Sequence, residues 1–239
     1  MKTMKLSMIA ICSIAILSLS CKDDKKTEQL DSLSQEESTA QKGEHKTIFE
    51  NEYAQVSKMN LESGEFLPVH EGENRVIYAL TDYTIDWEEE GKILGNKTWK
   101  KGEVHYHKAG KHAAKNNGTT KAEWLAFSRK NTDLPECGEN TVDNDVSSVS
   151  PDFTKTLLDN EEFKMTLVKL PIGKSIPMHS GINRIIYSLS NYVLEYESDA
   201  HGKLDKQFKQ GDTHWHEACQ HALKNSGKTE AEFLVVSYK

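Results

Sequence analysis

From residue 46 onward, apolar and polar positions change over within short runs, and none of these runs holds a helical period. Residues 75–80, 83–87, 104–107 and 124–128 alternate or carry compact apolar cores, and Gly, Asn and Lys turns separate them. The pattern predicts many short strands, hence an all-β fold that manages its edges by rolling into a sandwich or barrel. Two stretches depart from it. Residues 8–17 form an apolar run behind Lys2 and Lys5 that is too short for a stable membrane anchor and reads as an export leader. Residues 22–45 are almost wholly polar, bury too little to fold, and read as a flexible tether.

The strand pattern occurs twice. Residues 52–130 slide onto 161–239 at a constant shift of 109 without a gap. Gly64 meets Gly173, Pro68 meets Pro177, Gly72 meets Gly181, Asn74-Arg75 meets Asn183-Arg184, Tyr78 meets Tyr187, and Glu123 meets Glu232. The match extends to eight of the ten histidines: His70, His105, His107 and His112 recur as His179, His214, His216 and His221. The segment 131–152, with two prolines, a Cys137-Gly138 turn and a run of serines, reads as a surface linker. The expected order is a leader at 1–20, a tether at 21–45, domain 1 at 46–130, the linker, and domain 2 at 153–239.

Charge and cysteines narrow the setting. The formal net charge is −7, and two of the lysines lie in the leader, which argues against a nucleic-acid partner or a basic membrane-binding face and leaves a small-molecule ligand or a protein partner. Ser18-Leu19-Ser20-Cys21 resembles a bacterial lipobox, with Cys21 as the lipidated residue, and Lys22-Asp23-Asp24 resembles the surface-export signal of Bacteroidota lipoproteins. The resemblance implies an exported outer-membrane lipoprotein, with cell-surface exposure as the meaning of the second signal, that meets the membrane only through its N-terminal lipid. Cys137 and Cys219 then remain in the mature body. A disulfide between them is the expectation in an oxidising compartment, with a free Cys219 as the alternative.

Gly64 and Gly173 each stand six residues before a histidine, and Gly102 leads to His112 and Asn116 as Gly211 leads to His221 and Asn225. These spacings resemble the two motifs of the cupin superfamily across both repeats, and Gly211-Asp212-Thr213-His214-Trp215 is similar to a pattern of small bacterial cupins. The resemblance implies a bicupin: two tandem cupin-type jelly-roll β-barrels after the leader and tether. It also implies a divalent transition metal (Zn, Fe, Mn, Cu or Ni) and a dioxygenase-like oxidoreductase acting on a small organic substrate. The chain departs from the family at the second histidine of the first motif, which is Gly72 or Gly181. It departs again at the glutamate, where Val76 or Ile77 stands behind Arg75. Only His70 with His112, and His179 with His221, carry over by position.

Period two on a strand puts His105 and His107, and likewise His214 and His216, on one face. If that face looks inward, all eight histidines become metal-ligand candidates and the pairs replace the lost ligands. Aromatics at 106 and 215 read as core and would aim the pairs outward, unless that face packs on a partner sheet; inward is the expectation. Arg75 and Arg184 precede runs that should be buried, and each needs an anion: Glu123 or Glu232, which is the expectation, or a bound carboxylate or phosphate. No residue is identified as catalytic. The alternatives to a metalloenzyme are a binding protein for a sugar or organic acid and a surface metal-capture protein.

Overall fold

The computed structural model describes residues 42–198 and 202–239, all within one compact unit. The leader, the lipobox with Cys21 and nearly all of the tether lie outside the described residues. In chain order the first module comprises β1 (Glu44–Glu50), β2 (Ala54–Leu61), β3 (Phe66–Gly72), β4 (Arg75–Ala79), β5 (Tyr83–Glu89), β6 (Lys92–Trp99), β7 (Val104–His107), β8 (Gly110–Asn116) and β9 (Ala122–Arg129). The second comprises β10 (Thr154–Asp159), β11 (Phe163–Leu170), β12 (Ser175–Gly181), β13 (Arg184–Ser188), β14 (Tyr192–Ser198), β15 (Gly202–Phe208), β16 (Thr213–His216), β17 (Cys219–Asn225) and β18 (Ala231–Tyr238). The expected all-β, two-barrel class is the one the chain has.

Each module folds a five-stranded antiparallel sheet over a four-stranded one. The orders are β1-β2-β9-β4-β7 with β3-β8-β5-β6, and then β10-β11-β18-β13-β16 with β12-β17-β14-β15. Strand parity sorts the side chains. In the first barrel Met59, Leu61, Ile77, Ala79, Trp124 and Ala126 face the interior, where they meet Leu67, Tyr83, Ile85 and Ala114 of the other sheet. The alternate residues of the same strands, Val56, Val76, Tyr78, Leu125 and Phe127, leave the barrel and join Phe163, Met165, Ile185, Tyr187, Leu234, Val236 and Tyr238 in a core shared by both barrels. Both faces of each five-stranded sheet are therefore covered, which is why 75–79 is apolar and buried without alternation after its arginine. β14, exposed on one side, keeps strict alternation.

Polar ties cross the same interface. Glu162 of the second barrel accepts hydrogen bonds from Asn74 Nδ2 at 2.6 Å and from Tyr106 Oη at 2.7 Å. The linker is more than a surface strap. Asp145 caps the one-turn helix α1 (Val146–Val149) and bonds Lys164 at 2.7 Å, and Val146 enters the core of the second barrel. One apolar residue in the segment was enough to draw its middle inward.

Candidate functional site

His70 on β3 stands directly across the strand pair from His112 on β8, and His179 on β12 from His221 on β17. Both ring pairs have centroids 4.1 Å apart. The His-x-His strands β7 and β16 lie beside β4 and β13 in the opposite sheet, with His107 paired to Arg75, His105 to Ile77, His216 to Arg184 and His214 to Ile186. Because Ile77 points into its barrel, so do the histidines in register with it. The aromatics between them take the other face: Tyr106 and Trp215 pack into the core between the barrels. Their burial thus agrees with inward histidines, as a sheet covered on both faces allows.

Between the two histidine layers of each barrel sits an arginine. Arg75 and Arg184 are 4% and 2% exposed. Arg184 Nη1 donates to the carbonyls of Ile182 at 3.0 Å and Glu217 at 3.1 Å. Its Nη2 lies 3.4 Å from Cys219 Sγ and 3.3 Å and 3.4 Å from the two ring nitrogens of His221. Arg75 Nη1 donates to the carbonyls of Glu73 and Lys108. The glycines in place of the second motif histidine make room for this. A Cβ on Gly181 would come within 2.5 Å of Arg184 Cζ, and one on Gly72 within 2.6 Å of Arg75 Nη1.

The expected partners Glu123 and Glu232 do not reach the arginines. On β9 the inward residues are Trp124 and Ala126, so Glu123 falls on the opposite face. There it pairs with Lys58 and Lys121, as Glu232 pairs with Lys169, beside the cleft between the barrels. The disulfide is also absent: Cys137 and Cys219 are both free thiols. Asn183 Nδ2, at the bend before β13, bonds Cys137, whereas Arg184 Nη2 bonds Cys219, so the two sulfurs are held by different groups. Asn74 and Asn183 serve neither as simple turn residues nor as ligand contacts, since their amides tie down neighbouring segments.

The barrels differ in what answers the guanidinium. In barrel 1, Glu89 Oε1 lies 3.1 Å from His107 Nδ1. Burial alone would raise the Glu89 carboxyl, but the His107 hydrogen bond and the charges of His107 and Arg75 outweigh it and hold Glu89 below its ordinary range. Burial lowers Arg75 to about 10, against the pull of Glu89. In barrel 2 the position of Glu89 is Ser198; among the described residues neither arginine forms an ion pair, and the carboxylate that lines the barrel 2 cavity, Asp145, is paired with Lys164 at 2.7 Å. Lys206 adds a second cation at that cavity, its Nζ 4.3 Å from the centre of the Tyr196 ring.

The imidazoles supply no compensating charge. Burial, reinforced by neighbouring His107 and Arg75, takes His105 down to about 3, and burial with Arg75 does the same to His112. Burial with Lys206 and Arg184 takes His214 to about 4, and His221 is pushed far below the histidine range by burial and Arg184. Near pH 7 these rings are neutral. Each binds a proton more readily unfolded than folded, so their contribution to stability is complete above the ordinary value of 6.5 and is lost as the pH falls toward 3 to 4. Denaturant midpoints measured from about pH 7 down to about pH 4 are expected to fall steadily. A flat profile would show that solvent reaches the rings in the folded state.

Barrel 2 encloses a cavity of about 50 Å³ onto which all four of its histidines, Arg184 and Lys206 open, walled by Tyr192, Leu194, Tyr196, Phe208, Leu223 and Phe233. The cavity of barrel 1 is about 40 Å³, with His70, His105 and His112 beside Arg75, Trp87 and Trp99; His107 instead faces a neighbouring opening with Arg75 and Glu89. Such volumes hold a few waters or a ligand of a few non-hydrogen atoms. The aromatic walls carry a signal in the repeat, since Trp87 aligns with Tyr196 and Trp99 with Phe208. Glu89 carries none, because its counterpart is Ser198, whereas Lys206 recurs as Lys97 and is an identity of the repeat.

A resident metal fits this donor set poorly. Among the described residues no three His, Cys, Asp or Glu side chains converge on one point, and a cationic guanidinium stands against the inherited histidine pair. No protein-family model matches the sequence, and no curated protein matches it. Solved structures do. A Cupin 2 conserved barrel domain protein from Leptotrichia buccalis is 18% identical over 83% of this chain and 89% of its own, with a TM-score of 0.47. AerE from Microcystis aeruginosa is 16% identical over 82% of this chain and 98% of its own, at 0.58. A variant of oxalate decarboxylase from Bacillus subtilis is 13% identical over 84% and 75%, at 0.59. At these identities the likeness is one of architecture, and the chain has the two-barrel cupin fold.

Proposed function

We propose that barrel 2 is a binding site for a small carboxylate. The observation that carries this reading is Arg184, buried and without a carboxylate partner among the described residues, in a largely aromatic and aliphatic cavity whose lining carboxylate, Asp145, is already paired with Lys164. An isolated buried cation is costly, and a bound anion removes the cost. The neutral imidazoles of His179, His214 and His221 add polar contacts without altering the charge, and Lys206 extends the positive field toward the mouth. On the export reading of the leader and Cys21, the barrel meets its ligand outside the cytoplasm, where it serves to capture an organic acid.

Calorimetric titration of the full chain with acetate, oxalate and pyruvate tests this. A ceiling of about 1.5 kcal/mol per non-hydrogen atom limits acetate to roughly tens of micromolar at best. Arg184→Met is expected to weaken binding by at least ~30-fold, the usual scale for losing one partner of a buried charge pair. Absence of any carboxylate binding to the folded wild type sinks the reading.

A second reading, a divalent metal with dioxygenase-like chemistry, is favoured by one feature. His70 and His179 each place Nδ1 2.8 Å from a proline carbonyl, which can only accept, so that nitrogen carries the proton and Nε2 keeps its lone pair, as in a second-shell-oriented metal ligand. In barrel 1, His105 Nδ1 and His107 Nε2 are also buried without a partner. The oxalate decarboxylase of the same fold has Mn(II) centres. Stoichiometric metal in the purified protein would favour this reading over the first.

A further inference from the structure

Cys219 is the one member of the arginine cluster that the duplication does not repeat. Its counterpart is Gly110, whose φ of +149° disfavours a side chain and where a Cβ would come within 2.5 Å of Glu90 Oε1 and oblige that glutamate to move. In barrel 2 the sulfur is free and half-buried, 3.4 Å from Arg184 Nη2, 3.6 Å from Tyr196 Oη and 3.8 Å from His221 Nδ1. Strand parity places Cys219, His221 and Leu223 on the inward face of β17, at the end of the strand nearest the guanidinium.

We infer that Cys219 is a covalent-modification site for small carboxylates that carry a soft electrophilic carbon. The inference rests on the carboxylate reading of Arg184 and adds a reaction to it. An anion held at Arg184 Nη2 stands within reach of the sulfur 3.4 Å from the same nitrogen, so attack becomes effectively unimolecular. The guanidinium and the Tyr196 hydroxyl favour the thiolate before attack, and the guanidinium then meets the negative charge that passes from sulfur into the substrate's carboxylate end. With an α,β-unsaturated carboxylate, Sγ bonds to the β-carbon, the alkene π bond breaks, and the thiol proton, passed through solvent, ends on the α-carbon. No oxidant or reductant is consumed.

Iodoacetate and iodoacetamide are suitable probes, since both alkylate sulfur with loss of iodide and differ by one charge. For a solvated thiol the anionic reagent is the slower, because the reacting sulfur is itself negative. On the folded full chain, with labelling read peptide by peptide by mass spectrometry, Cys219 is expected to react with iodoacetate at least ~10-fold faster than with iodoacetamide. Cys137, the internal control, keeps the ordinary order. The wild type alone decides the matter, and Arg184→Gln and Lys206→Met should each shrink the preference. A Cys219 that reacts with iodoacetate no faster than Cys137 in the folded protein, while both label fully in denaturant, overturns the inference. If carboxylates nonetheless bind Cys219→Ser by calorimetry, only the covalent step has failed; if they do not, the binding reading has failed with it.

Discussion

Ser198→Glu is expected to silence barrel 2 as an anion site, lowering its carboxylate affinity by ~100-fold or more while the protein stays folded. Residue 198 pairs across the sheet with His221, as Glu89 pairs with His112, so the new carboxylate rises at the place from which Glu89 acts on Arg75. A unit charge about 4 to 5 Å from the guanidinium, at the effective dielectric of a protein site, is worth about 3 to 4 kcal/mol, enough to displace a weak exogenous anion. The converse, Glu89→Ser, should leave Arg75 unanswered and raise the affinity of barrel 1 for acetate. Titration of both variants, with circular dichroism to verify folding, checks the pair. Undiminished binding in Ser198→Glu would mean that the anion does not sit on Arg184.

Gly181→His combined with Arg184→Ala is expected to turn the same cavity into a metal centre. The glycine is in ordinary strand geometry, absent from the positive-φ positions, so its backbone accepts a side chain; what excludes one is chiefly the guanidinium, with the His221 ring, 2.9 Å from a Cβ, having to turn slightly. Removing that group and adding an imidazole two residues after His179 brings three neutral nitrogens together with His221 and leaves an open coordination position. Cobalt(II) should bind at least ~100-fold more tightly than to the parent and give the visible absorption of a tetrahedral site. Gly181→His alone should fold poorly, because its Cβ lands on Arg184. A folded double variant that stays colourless with cobalt would show that β12 and β17 do not aim their histidines at a common point.

Much of this was legible before any coordinates. The gapless shift of 109 placed two like barrels, period two grouped the histidines, and the need of Arg75 and Arg184 for an anion follows from their position before buried runs. Glu123 failed as that anion for a reason the sequence also held: it alternates with Trp124 and so leaves the barrel that Arg75 enters. The aromatics at 106 and 215 were ambiguous because a sheet covered on both faces does not reveal which apolar face lines its own barrel. The charge asymmetry escaped because a repeat is read through its identities, and Glu89 against Ser198 is a difference. Cys137 and Cys219 were equally opaque, since the contacts that hold them apart, with Asn183 and Arg184, are tertiary.

The core shared by Phe127, Val76, Phe163 and Tyr238 has a consequence for the two pockets. A single copy of this module, cut from the chain, would present a broad oily sheet face to water; in one chain the two copies cover each other's. Being parts of one chain also leaves the pockets free to differ: in a homodimer any change at position 89 or 110 would appear in both, whereas here one pocket carries Glu89 and the other Cys219.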